Sequence, residues 1–211
     1  MAVKTVVTRG AVVVALAVLG SGCGDVATTG RSPVIAVVNT LTAASGAQPD
    51  QFSGTLNSDV ITNVQTTVNN QTVLIPTVFN DSGQVTMSLV LKDPGNPGIP
   101  STASELNAVT FTRYRVSYKR ADGRNTPGVD VPFPFDSAAT FTVPSSGTVT
   151  AAFEIVRHTA KEEAPLLALR GDPNIISTIA VVEFFGKDLA GNDVIATGQI
   201  GIFFGNFGDP T

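Results

Sequence analysis

The sequence predicts an all-β fold, a sandwich of two antiparallel sheets with seven or more strands. Three observations carry that prediction. Val, Thr, Ile and Phe are abundant, and 20 Gly and 13 Pro break the chain every few residues. β-Branched and aromatic residues fit a pleated surface, while Gly and Pro supply turns. Several short runs alternate apolar and polar residues with period two, and no long Ala/Leu/Glu/Lys window keeps a helical period. Hydrophobic residues make up 43% of the chain and charged ones 14%, enough apolar material for a core. Of 211 residues, 178 follow Pro33, which suits one elaborated domain over residues 34–211.

The N-terminal segment has a different character. Lys4 and Arg9 precede ten uncharged residues, Gly10 to Leu19. A cationic stretch before a short apolar helix has the layout of a secretory signal peptide, and it falls short of the ~20 apolar residues that span a bilayer. Gly20, Ser21 and Gly22 then lead into Cys23, the sole cysteine. This stretch resembles the lipobox of bacterial lipoproteins. Leu19 stands one place further from the cysteine than the family's usual aliphatic residue, with Gly20 in its stead. The resemblance implies cleavage after Gly22, a diacylglyceryl thioether on Cys23 and an added acyl chain such as palmitate. Each buried CH₂ of such a lipid contributes ~0.8 kcal/mol to membrane attachment. Lipidation would also consume a thiol that an exported chain otherwise leaves unpaired. Residues 1–22 are then signal peptide, and residues 23–33, small and polar up to Pro33, a flexible tether. The implied location is the bacterial cell envelope, with the domain facing the periplasm or the exterior.

The strands follow in order. Val34–Ala43 is the first. The Thr/Asn-rich stretch 53–83 carries weak strands around Val73–Val78. From Val85 to Lys92 the alternation is clean: Val85, Met87, Leu89 and Leu91 share one face, Thr86, Ser88 and Lys92 the other. Three prolines between Asp93 and Pro100 end that strand. Next, Val109 and Phe111 share one face while Tyr114, Val116 and Tyr118 take the opposite parity. The apolar register flips near Arg113, which predicts a bulge or a crossing between sheets. Ala121–Arg124 is a turn. Val149, Ala151, Phe153 and Ile155 then face inward, against Thr148, Thr150 and Glu154. A short helix fits only near 158–168, ended or kinked at Pro165. Ile176–Asp188 is apolar on both faces and reads as a central strand, and Asp193–Phe204 returns as its hairpin partner.

The turn between those last two strands, Asp-Leu-Ala-Gly-Asn at 188–192, is similar to one in bacterial immunoglobulin-like modules. With the strand count and the final hairpin it suggests an immunoglobulin-like sandwich; a jelly roll or another two-sheet sandwich is the alternative. The antibody-type Cys…Trp…Cys core is absent, since the chain has no Trp and one Cys.

Composition narrows the function. Without residues 1–22, eleven cations face seventeen acids, a net of −6, which gives no electrostatic case for nucleic-acid binding. The one histidine, His158, sits in a polar stretch, and there is no G-x-S-x-G, H-E-x-x-H or C-x-x-C-H motif. Nucleophilic catalysis, zinc and haem therefore lack their residues. The expectation is a non-enzymatic, lipid-anchored envelope protein whose sandwich binds a protein or glycan. The alternatives are a structural, self-associating envelope component, or a carbohydrate-active hydrolase or module with two carboxylates ~5–10 Å apart.

Two clusters are candidate sites. Arg113, Arg115 and Lys119 fall on one strand face and Arg120 and Arg124 follow, with Asp122 the one acid among them. They could meet an anionic partner, or form a solvated face paired with acids such as Glu154 or Glu183. Asp188, Asn192 and Asp193 could offer oxygens to calcium, the one cofactor considered, although the same residue types favour tight turns. Phe203, Phe204 and Phe207 near the C-terminus close the core or form a partner patch, the core reading being preferred.

Overall fold

The computed structural model describes residues 30–208. In chain order the strands are β1 (Val34–Ala44), β2 (Thr55–Asp59), β3 (Thr62–Val68), β4 (Gln71–Thr77), β5 (Asp81–Leu91), β6 (Gly95–Asn96), β7 (Ile99–Pro100), β8 (Val109–Lys119), β9 (Phe135–Val143), β10 (Thr148–Val156), β11 (Ile176–Asp188) and β12 (Asp193–Gly205). A short helix, α1 (His158–Lys161), precedes the Ala164–Pro165 cis peptide and a 3-10 turn over Leu166–Gly171.

These strands form an immunoglobulin-like sandwich. One sheet has the order β1-β5-β10, the other β2-β12-β11-β8-β9. The first sheet takes the A, B and E places of the immunoglobulin pattern; β8, β11 and β12 take C, F and G, with β9 added beside β8. Every pairing within these two sheets is antiparallel except β2 along β12. The N-terminal edge is thus divided, β1 lying in one sheet and β2 in the other. A separate hairpin, β3-β4, is inserted before β5.

Alternation dictates the core. Val85 and Met87 of β5, Phe153 and Ile155 of β10, and Ala180, Val182 and Phe184 of β11 are buried; polar residues alternate with them on β5, and more exposed apolar residues and Glu183 on β11. β11 lies between β12 and β8 as its composition predicts, but its second face, with Ile179 and Phe185, is turned outward rather than covered. Phe204 is fully buried, whereas Phe203 and Phe207 are partly exposed. Tyr114 packs edge-on to Phe135 and Phe153 at 6.2 and 5.1 Å between centroids, and Phe153 packs edge-on to Phe184 at 5.3 Å. Such pairs add ~0.5–1.5 kcal/mol each beyond their burial.

Both buried tyrosines also close the exposed edge of β10. The Tyr114 hydroxyl donates to the Glu154 carbonyl at 3.0 Å and accepts the Glu154 N–H at 3.1 Å; the Tyr118 hydroxyl donates to the Ile155 carbonyl at 2.7 Å. The pairing of β10 with β5 shifts register between Glu154 and Val156, so the hydroxyls sit where a bulge frees backbone groups. Burial pushes the Tyr118 hydroxyl far above its ordinary range, so it stays a proton donor.

The predicted bulge is present. Along β11 the register shifts between Phe185 and Gly186, leaving Thr112 as the extra residue, and along β9 it shifts between Phe111 and Arg113, where Ala139 and Thr140 together face Thr112. The bulge restores phase: Val109, Phe111, Tyr114, Val116 and Tyr118 all face the core. It also brings two backbones close. A Cβ on Gly186 would lie 2.5 Å from the Thr110 carbonyl oxygen and 2.9 Å from Phe111 Cα.

The fold's contacts begin before β1. The Lys92 N–H donates to the Pro33 carbonyl at 2.8 Å, Lys92 Nζ donates to the Gly30 carbonyl at 2.9 Å, and Ser32 is buried. The end of the segment read as a tether is thus fastened to the sandwich.

Gly186→Ala is expected to lower unfolding stability by ~1–3 kcal/mol in a urea titration, because backbone rather than a yielding side chain meets the new methyl. Gly201→Ala is the matched control: its Cβ meets only Thr55 Cγ2, at 3.7 Å, and the loss should be clearly smaller.

Candidate functional site

The Thr112 bulge also decides what the five-stranded sheet shows to solvent. Beyond it, Arg113 and Arg115 point outward on alternate positions of β8. Phe185 lies opposite Arg113 on β11, and the Arg113 guanidinium stacks over its ring at 4.0 Å. Arg113 also donates to Asp136 Oδ1 at 2.6 Å, and Arg115 Nε lies 3.7 Å from Asp136 Oδ2. Arg115 is flanked in register by Asp136 on β9 and Glu183 on β11. Lys119 is exposed at the end of the strand, opposite Ile179.

Arg120 and Arg124 gather on a second carboxylate. Each places an NH2 nitrogen 2.8 Å from Asp122 Oδ2. Their hydrogen bonds hold the Asp122 carboxyl well below the usual carboxylate range. The five cations of the sequence stripe therefore form two carboxylate-centred groups, with Lys119 beside them. The carboxylates are Asp136 and Asp122. Glu183 is a register neighbour of Arg115, and Glu154 lies on β10 in the other sheet. Exposed pairs of this kind contribute little to stability.

A cleft of about 410 Å³ opens at the bulge end of the same face. Phe185 and Gly186 line it, with Thr112 and Arg113 from β8 and Lys187 and Asp193 from the final hairpin. Lys187 and Asp193 are themselves an ion pair. The cleft combines an aromatic ring, a stacked guanidinium and short polar side chains.

The turn considered for calcium is closed by its own hydrogen bonds. The Asp188 carboxylate accepts from the Ala190 N–H at 3.0 Å, the Asn192 N–H at 2.8 Å and the Asn192 side-chain amide at 2.9 Å. Gly191 completes the turn at φ +86°. Burial works against ionisation of Asp188, but the hydrogen bonds from Asn192, Ser32 and Ala190 outweigh it, and its carboxyl titrates below the ordinary value. Asp193 is drawn to Lys187. Among the described residues no three His, Cys, Asp or Glu side chains converge as a metal cluster.

Chemistry that the sequence did not reveal lies on the opposite side of the core. Asp81, at the start of β5, and Lys161, at the end of α1, are both buried, with Nζ 2.8 Å from Oδ1. Asp81 also accepts the Ser58 hydroxyl at 2.6 Å and the Gly46 N–H at 2.9 Å. Burial raises the Asp81 carboxyl above its ordinary value despite Lys161 and these donors. Next to it, the Asn80 side-chain oxygen lies 2.6 Å from the His158 N–H, which it accepts, and 2.9 Å from His158 Nδ1. The sole imidazole is thus engaged in holding α1 in place. Cys23 lies outside the described residues, and among those described no helix is long and apolar enough to cross a membrane.

Two outcomes are expected. Lys161→Met, which leaves a buried carboxylate unpaired, lowers unfolding stability by ~3–5 kcal/mol, and adding Asp81→Leu recovers part of the loss. Asp188→Ala destabilises at neutral pH. Because the folded-state value of Asp188 is depressed, its contribution is present above the unfolded carboxylate range and fades as pH falls through the folded value. The difference between wild type and Asp188→Ala in urea midpoint therefore shrinks on acidification.

Comparison with known proteins finds no family model, no curated protein and no solved structure that matches this chain, which leaves the sheet face and its cleft as the guide to function.

Proposed function

We propose that the chain is a lipid-anchored cell-envelope protein whose sandwich binds an anionic protein or glycan without catalysing a reaction. The observation that carries the binding role is the Arg113–Phe185 stack beside the cleft, continuous with Arg115 and Lys119 on one open sheet face. In an otherwise acidic chain this face concentrates positive charge, which favours encounter with a negatively charged partner. A non-catalytic role is supported by the engagement of His158 with Asn80. The anchor is supported by the sequence around Cys23.

Two measurements test the reading. The intact mass of membrane-extracted protein should correspond to a chain beginning at Cys23 plus a diacylglyceryl and an acyl increment. Cys23→Ala should lose both the increment and membrane fractionation; an unlipidated wild-type product sinks the anchor. With heparin as an anionic glycan probe, the double variant Arg113→Ala/Arg115→Ala should bind about tenfold more weakly than wild type. Equal, salt-insensitive binding by the two proteins would remove the stripe from the binding role.

A further inference from the structure

The hairpin β3-β4 belongs to neither sheet of the sandwich. It is made by local chemistry. Asn69 and Asn70 both have positive φ, 51° and 60°, the conformation a two-residue hairpin loop requires and one that asparagine tolerates. Val68 pairs with Gln71 across that loop, and the ladder runs back to Thr62 and Thr77. From Val60 to Asn80 the chain carries no charged residue for 21 positions, between Asp59 and Asp81. Apolar side chains nonetheless face solvent on both sides of the ribbon: Val68 is 49% exposed, Leu74 60% and Ile75 46%.

A lone two-stranded ribbon is short of strands, since three or more with a shared apolar face are needed for independent stability. The edge of β4 can supply them. In an antiparallel ladder, alternate residues direct their N–H and C=O groups at the partner and away from it. With Val68 and Gln71 bonded to each other across the loop, the outward residues of β4 are Thr72, Leu74 and Pro76. Pro76 keeps a carbonyl acceptor but has no donor, which leaves Thr72 and Leu74 as the outward donors.

We infer that β4 pairs with β4 of a second copy of this chain, antiparallel about a two-fold axis at Leu74, to give a four-stranded sheet β3-β4-β4′-β3′. Leu74 then faces Leu74 of the second copy, and Thr72 donates to its Pro76 carbonyl, for about four ladder bonds across the dyad. Charge selects the occupant. The chain is net acidic, so two copies repel over most of their surfaces, and this ribbon is the long charge-free segment where they can meet. The pairing uses no residue of the Arg113 face and stands independently of the proposed binding role.

Sedimentation equilibrium of the full chain in density-matched detergent tests it. The expected result is a concentration-dependent mass that rises from one chain to two. Leu74→Pro removes an outward donor without touching the β3-β4 ladder, and Leu74→Lys places like charges opposite each other; each should raise the dimer dissociation constant at least about tenfold. Circular dichroism of both variants should remain that of wild type. A single-chain mass over about a hundredfold range of concentration overturns the inference. So does a dimer that survives both substitutions, which would place the interface elsewhere. A single-chain protein that loses binding to neutral phosphatidylcholine vesicles on Leu74→Lys would assign the ribbon to a lipid surface instead.

Discussion

The buried pair between Asp81 and Lys161 is the contact on which the layout of the sandwich depends. It joins the start of β5, in one sheet, to the helical segment that carries the chain from β10 across to β11. Through Ser58 and Gly46 the same carboxylate reaches the end of β2 and the loop after β1. One acid thus ties three separate segments to the start of β5. A buried ion pair is weak evidence for stability, because desolvation offsets most of its attraction. Its effect here is positional: an unpaired partner would be far more costly, so arrangements that separate Asp81 from Lys161 are disfavoured.

With that crossover held, the aromatic core and the tyrosine hydroxyls follow. Tyr114 and Tyr118 rise from the five-stranded sheet, fill the core with their rings and bond to the edge of β10 with their hydroxyls. Each therefore acts on both sheets. The Thr112 bulge makes this possible, since in a regular strand of the same sequence Tyr114 and Tyr118 would leave the core and Arg113 would enter it. Core and arginine face are consequently two results of one bulge: the irregularity that returns the tyrosines to the inside sends the arginines out.

What could be read from the sequence was local. Alternation in Val85–Leu91 and Val149–Ile155 reports burial directly, and the parity change between Phe111 and Tyr114 reports the bulge. The cationic stripe was equally visible, because it lies on one strand. Its partners were not: Asp136 reaches Arg113 and Arg115 through a strand pairing that no spacing encodes. Lys161 was the least legible of all. It stands 80 residues from Asp81, within a run of polar residues that reads as solvated loop. The Asn69–Asn70 pair did carry a hairpin signal, which the surrounding Thr and Asn residues obscured.

The fastening of Gly30 and Pro33 by Lys92 has a mechanical consequence. Lys92 directly follows β5, and its two hydrogen bonds close the end of the β1-β5 ladder nearest the N-terminus. A pull on that end, such as an anchor would transmit, meets this clasp before it reaches the strands. Directed along β1, the load is then shared over the ten register pairs from Val34 to Ala44, in shear. Tension that would peel a free strand away one bond at a time is instead distributed across the whole edge of the sheet.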